Sequence, residues 1–107
     1  MLNLIEGNEE LLEDIFPFLE EILLERFEGI KKGLLEKARW GSMRIVMLVE
    51  EDEIKGLGIA TVSNLNIGNV DYIYSKGGED LSKKIEERLL LWLKWLKVKD
   101  ITFNPLF

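Results

Sequence analysis

The chain has 107 residues, with 20 acids against 14 bases, no cysteine and no histidine. That length points to one domain, covering residues 1–107, large enough to bury a core without staples. The composition excludes a disulfide framework, a thiolate nucleophile, sulfur-bound zinc and every histidine-based triad.

A hydrophobic share of 47% and a charged share of 32% describe a globular chain rather than a disordered one. The net charge of −6 argues against nucleic acid as a partner. Residues 1–53 carry 14 acids and 6 bases, whereas residues 54–107 carry 6 acids and 8 bases. The mildly basic second half suits an anionic small molecule. The longest apolar run, residues 89–93, is far too short for a bilayer span, so no membrane partner is expected. The chain opens with no signal-peptide pattern, which points to the cytoplasm. Lysine and glutamate abound and glutamine is missing, a thermophile-like bias.

Residues 2–6 form a short apolar opening strand, followed by Gly7 and Asn8. Asn8 is placed to cap a helix whose first turn carries Glu9 and Glu10. Leu11, Leu12, Ile15, Phe16, Leu19, Ile22 and Leu23 then recur at helical spacing. Pro17 either kinks this helix or starts a second one. A second helical pattern runs through Phe27, Ile30, Leu34 and Leu35, weakened by Gly29 and Gly33 and closed by Trp40-Gly41. Residues 43–49 are apolar on both faces, the pattern of a buried strand. An acidic link of residues 50–53 leads into a strand over 54–62, where Gly56 and Gly58 allow a bulge or a close approach. Residues 64–69 read as a turn, and 70–75 as the next strand. Lys76-Gly77-Gly78 ends it. A helix over about 79–97 and a strand over 99–103 follow, stopped by Asn104-Pro105. The order is β-α-α-β-β-β-α-β: an α/β (α+β) fold with a mixed, mostly antiparallel sheet. Its middle strands make a meander, and its last strand–helix–strand unit is a right-handed parallel crossover.

The long helix is apolar over an unusually wide arc, through Leu81, Ile85, Leu89, Leu91, Trp92, Leu93, Trp95 and Leu96. Two readings fit: the two N-terminal helices also cover it, or part of the arc is an interface.

This order resembles the GCN5-related N-acetyltransferase (GNAT) fold. The resemblance runs through nearly the whole chain. It is carried by the meander, the stretch Val70-Asp71-Tyr72-Ile73-Tyr74-Ser75-Lys76-Gly77-Gly78-Glu79-Asp80-Leu81-Ser82-Lys83 and the helix and strand after it. In that family the loop before the long helix wraps the pyrophosphate of acetyl-CoA with backbone N–H groups. The resemblance therefore implies acetyl-CoA as cofactor, held by Tyr74, Ser75, Lys76, Gly77, Gly78, Ser82 and Lys83. The family's motif of Gln or Arg, two residues, Gly, one residue, then Gly or Ala is degenerate here. With its end at Ser82, Gly77 and Asp80 fall on the Gln/Arg and central Gly positions. Glu79 and Asp80 would then oppose a pyrophosphate, yet they are also ordinary helix-start residues. The family continues beyond this point with a further helix and strands. On that comparison the chain lacks the C-terminal helix and strands, and a partner chain is expected to complete the acceptor side. A homodimer or partner contact is expected through the last strand or the Trp92/Trp95 helix.

The resemblance also maps acetyl-carbonyl binding to a backbone N–H near Ile73 and Tyr74, and a candidate base to Asp71. A lone strand aspartate more often simply faces solvent. Tyr72 and Tyr74 alternate with Asp71 and Ile73, so they share the opposite face. The acids at 50–53 lack the spaced oxygen ligands of a calcium loop, so no metal is expected. No histidine is present to activate Ser42, Ser63, Ser75 or Ser82. Two functions follow from the sequence: an acyl-CoA-dependent amine acetyltransferase, or a noncatalytic interaction module that kept the fold and lost the site.

Overall fold

β-Branched and apolar residues on both faces drive the central strands into the middle of a sheet covered on both sides. The structure, a computed structural model, describes residues 1–105. Its strands are β1 (Asn3–Gly7), β2 (Ser42–Glu50), β3 (Glu53–Val62), β4 (Ile67–Ser75) and β5 (Asp100–Thr102). They form one sheet in sequence order, antiparallel except for the parallel β4–β5 pair. The helices are α1 (Leu12–Leu23), α2 (Phe27–Trp40) and α3 (Glu79–Trp95), with short 3-10 turns before α1 and between α1 and α2.

The two faces of the sheet have separate cores. Ile15, Leu19 and Leu34 of α1 and α2 pack against Met43, Ile45 and Ile59. Ile85, Leu89 and Leu93 of α3 pack against Val46, Leu48 and Ala60 on the other face. The N-terminal helices therefore do not cover α3, and Leu91 and Trp95 stay exposed at 57% and 76%. Gly58 explains how close α3 lies: a β-carbon there would sit 2.2 Å from Cγ2 of Ile85. Both options left by the sequence are realised: the register shifts at Lys55, beside Gly56, and Ile85 of α3 approaches both glycines closely.

Several local expectations shift. Pro17 lies inside α1, and the chain breaks instead at Leu24, whose φ is 53°. Asn8 offers no side-chain cap; its amide oxygen accepts from Arg44, and Glu10 Oε1 accepts the Asn8 N–H at 3.0 Å. Leu35 is largely exposed. The acidic link narrows to Glu51 and Asp52, both at positive φ, because Glu50 and Glu53 pair with each other. The helix ends at Trp95, and Lys97 turns the chain at φ 57°.

The largest difference is in β4, which begins at Ile67. Gly68 and Asn69 look like turn residues, but Gly68 packs under Leu93 and Val98, where a side chain would collide. The turn is confined to residues 63–66, closed by Ser63 N–H to Ile67 O at 2.9 Å and Asn66 N–H to Ser63 O at 3.0 Å.

Candidate functional site

β4 pairs with β5 only through Ile67, Gly68 and Asn69, and β5 ends at Thr102. Residues 70–75 keep β3 on one side. Among the described residues no strand lies on their other side. The sheet thus opens into a wedge along the second half of β4.

Alternation in an antiparallel pair fixes which amides face that wedge. Lys76 N–H donates to Lys55 O at 2.9 Å, so residues 74 and 72 also point their backbone groups at β3. Ile73 and Ser75 therefore point their N–H and C=O groups into the wedge. The family resemblance points to the backbone near Ile73 and Tyr74 for a carbonyl-binding donor; of these two, Ile73 faces the wedge.

Asp71 is the extra residue of a β-bulge: Ala60 pairs with Val70 and Ile59 with Tyr72, leaving Asp71 without an opposite residue. The bulge puts Asp71 and Tyr72 on the same face of the sheet, toward α2. This corrects the simple alternation, which sets Asp71 opposite the tyrosines. It also overturns the solvent-facing alternative, because Asp71 is fully buried. Oδ1 pairs with the Lys37 ammonium and accepts Asn69 Nδ2 at 2.8 Å, and Oδ2 accepts Thr61 Oγ1 at 2.7 Å. Both carboxylate oxygens are committed to these donors. Tyr74 stacks edge-on against Phe18, 5.3 Å between centroids. Burial, then the neighbouring Tyr74, raises the Tyr72 phenol above its ordinary pKa, against a smaller pull from Arg26. Tyr72 therefore remains protonated at neutral pH.

The wedge runs out into residues 76–78. Ser75 Oγ accepts the Gly77 N–H and donates to Gly78 O, both at 3.1 Å. This closes a tight loop without a large side chain. Gly78 takes φ 84° and ψ −165°, a region essentially reserved for glycine, and a side chain there would meet open space. α3 starts immediately after it with no side-chain cap, so its first N–H groups face the loop. Such a start favours an anion, but Glu79 and Asp80 occupy the same turn. Ser82 donates its N–H to Gly78 O at 3.3 Å, and Lys83 is exposed beside it. The Lys76 ammonium pairs with Glu53 Oε1 at 2.5 Å, and Lys55 holds Oε2 at 3.2 Å. Lys76, then Lys55, lowers the Glu53 pKa, and Glu53 in turn raises that of Lys76. The acidic turn is thus tied to the loop; no group of three or more ligating side chains among the described residues is arranged for a metal ion.

On the α2 side of the wedge's closed end lies a cavity of about 710 Å³, walled by Lys37, Trp40, Thr61, Ile67, Asn69 and Asn104. Lys37, Thr61 and Asn69 carry no local sequence signal for this role. Lys37 is 34 residues from Asp71, and only the fold brings them together.

Solved structures described as acetyltransferases share this architecture. A putative acetyl transferase from Pyrococcus furiosus superposes with a TM-score of 0.72 at 18% identity, over 100% of this chain and 84% of that one. A predicted acetyltransferase from Clostridium acetobutylicum, solved with acetyl-CoA, gives 0.70 at 11% identity, over 99% and 82%. An acetyltransferase of the GNAT family from Staphylococcus aureus Mu50 gives 0.61 at 17% identity, over 94% and 71%. No protein-family model matches the sequence, and no curated protein does. The chain has the GNAT-like fold, with a five-stranded mixed sheet. No helix among the described residues is long and apolar enough to cross a membrane.

Proposed function

We propose that the chain binds an acyl-coenzyme A in the wedge and transfers the acyl group to an amine. The observation that carries this is the pair of inward N–H groups, Ile73 and Ser75, on an edge leading to the uncapped start of α3. A pantetheine arm is itself an amide chain and can pair along such an edge as a strand would. The Ile73 N–H would hold the thioester oxygen and stabilise the charge that develops there. A neutral amine attacks the thioester carbon. The C–N bond forms, the C–S bond breaks, and the thiolate accepts a proton released by the amine. Asp71, already filled by three donors, is given a positioning role and not that of the base. The acetyl-CoA-bound neighbour of the same fold supports the choice of ligand.

A partner chain completing the acceptor side belongs to this proposal. Exposed Leu91 and Trp95 on α3, and the outer edge of β5, are the surfaces proposed for it. A noncatalytic interaction module is the second reading. Glu79 and Asp80, in the turn where a pyrophosphate would sit, favour it.

Calorimetric titration with coenzyme A and acetyl-CoA, with oligomeric mass measured in the same buffer, tests the proposal. Saturable binding is expected. Absence of heat up to millimolar ligand overturns the enzyme reading in favour of the module.

A further inference from the structure

The wedge has a built-in cause. We infer that the side chain of Asn69, locked by Asp71, holds the β4–β5 wedge open by taking the backbone groups that would close it.

Asn69 uses all of its hydrogen-bonding capacity. Its Oδ1 accepts the Thr102 hydroxyl at 2.7 Å and the Asn104 N–H at 2.8 Å. Its Nδ2 donates to Asn104 O and to Asp71 Oδ1, both at 2.8 Å. Only one amide orientation satisfies two acceptors on one side and two donors on the other. The primary amide thus pairs with Asn104 as a neighbouring peptide group would.

Those two Asn104 groups are the ones a continued ladder needs. Ser63 N–H bonds Ile67 O, so by alternation Gly68 and Val70 point their backbone groups toward β5. Past the bulge, Ile73 does the same. Extending the Asn69–Thr102 register in parallel, the Asn104 N–H would meet Val70 O, and the Asn104 carbonyl would meet the Ile73 N–H. Asn69 intercepts both. Because its side chain lies on the α2 face, it draws residue 104 out of the sheet plane. Among the described residues, the Ile73 donor is left without a strand partner.

Asp71 fixes this arrangement from behind. Its Oδ1 aims the Asn69 Nδ2, while Thr61 from β3 and Lys37 from α2 anchor the carboxylate. The line Lys37–Asp71–Asn69–Asn104 therefore ties α2 to the exit of β5 through the bulge. Asn69 and Asp71 are positioning residues, and the slot is open before any ligand arrives.

The inference does not depend on coenzyme binding, and its test uses no ligand. Amide hydrogen exchange is followed by NMR on the uniformly labelled full chain, wild type and Asn69→Ala. In the wild type, Ile73 and Ser75 should exchange at least tenfold faster than Tyr72 and Tyr74, which bond to β3. In Asn69→Ala, residues 103–105 fall in beside β4, and the Ile73 amide should slow at least tenfold. Wild-type protection of Ile73 equal to that of its neighbours would overturn the inference, as would unchanged Ile73 exchange in a natively folded Asn69→Ala. Should that variant lose its native spectrum, Thr102→Val removes one of the four bonds within a similar volume. It should slow the Ile73 amide about threefold, and no slowing there would also overturn the inference. Failure here leaves the coenzyme reading standing, and failure of that reading leaves this one intact.

Discussion

The two halves of β4 are built from one strand and do different work. Gly68 and Asn69 have a strand on each side, with α3 seated on Gly68. Residues 70–75 have a strand on one side and amides facing an opening on the other. The boundary is one bulged residue, Asp71, and one amide side chain, Asn69. The sheet thus opens at a bulge beside a few side-chain hydrogen bonds, without a separate domain or a long loop.

The comparison breaks most completely if the support beneath both halves is removed. Leu89 is fully buried between α3 and the sheet. Leu89→Ala should cost about 3 kcal/mol by denaturant unfolding, with both halves lost together. Asp71→Ala strikes the boundary itself. It leaves the Lys37, Thr61 and Asn69 donors without their shared acceptor, and should cost about 2–3 kcal/mol in the same assay. Gly78→Ala acts only at the open end. The glycine-only dihedrals predict a loss of about 1–2 kcal/mol, and coenzyme affinity should fall with it.

Asp80→Asn sharpens the contrast, because its two effects oppose each other. Removing the charge should tighten coenzyme binding by about threefold while slightly weakening the start of α3. An equal fall in both would place the ligand elsewhere. The smallest effect lies far from the wedge. Arg88, bonded to Glu6 at 2.5 and 2.9 Å, and Arg44 more weakly, lower the Glu6 pKa from its usual 4.5. The folded value lies below the unfolded one, so this pairing stabilises above about pH 4.5 and fades as pH falls through the folded value. Glu6→Gln should therefore lower the melting temperature slightly at neutral pH, with the difference shrinking in acid.

Element order and type were legible because apolar periodicity is strong in α1, α3 and the three long strands. The resemblance offered the backbone near Ile73 and Tyr74, and only strand pairing shows that Ile73 is the one facing the wedge. The wedge's cause was not. Gly68 and Asn69 look like turn residues to any local rule, since what makes them a strand is Leu93 pressing from α3. The bulge reverses the parity of Asp71, and nothing within the strand announces it. The burial of Asp71 rests on Lys37 and Thr61, which are brought to it by tertiary packing. The wide apolar arc of α3 was visible, but the side of the sheet taken by α1 and α2 was not. That side decides that Leu91 and Trp95 remain exposed.

The most direct test of the central claim is an amide-resolved NMR titration of the full chain with acetyl-CoA. The account predicts saturable shifts of the Ile73 and Ser75 amides, together with those of Gly77, Gly78 and Leu81, at one common affinity. Saturable shifts confined to other surfaces, or none up to millimolar ligand, would contradict it.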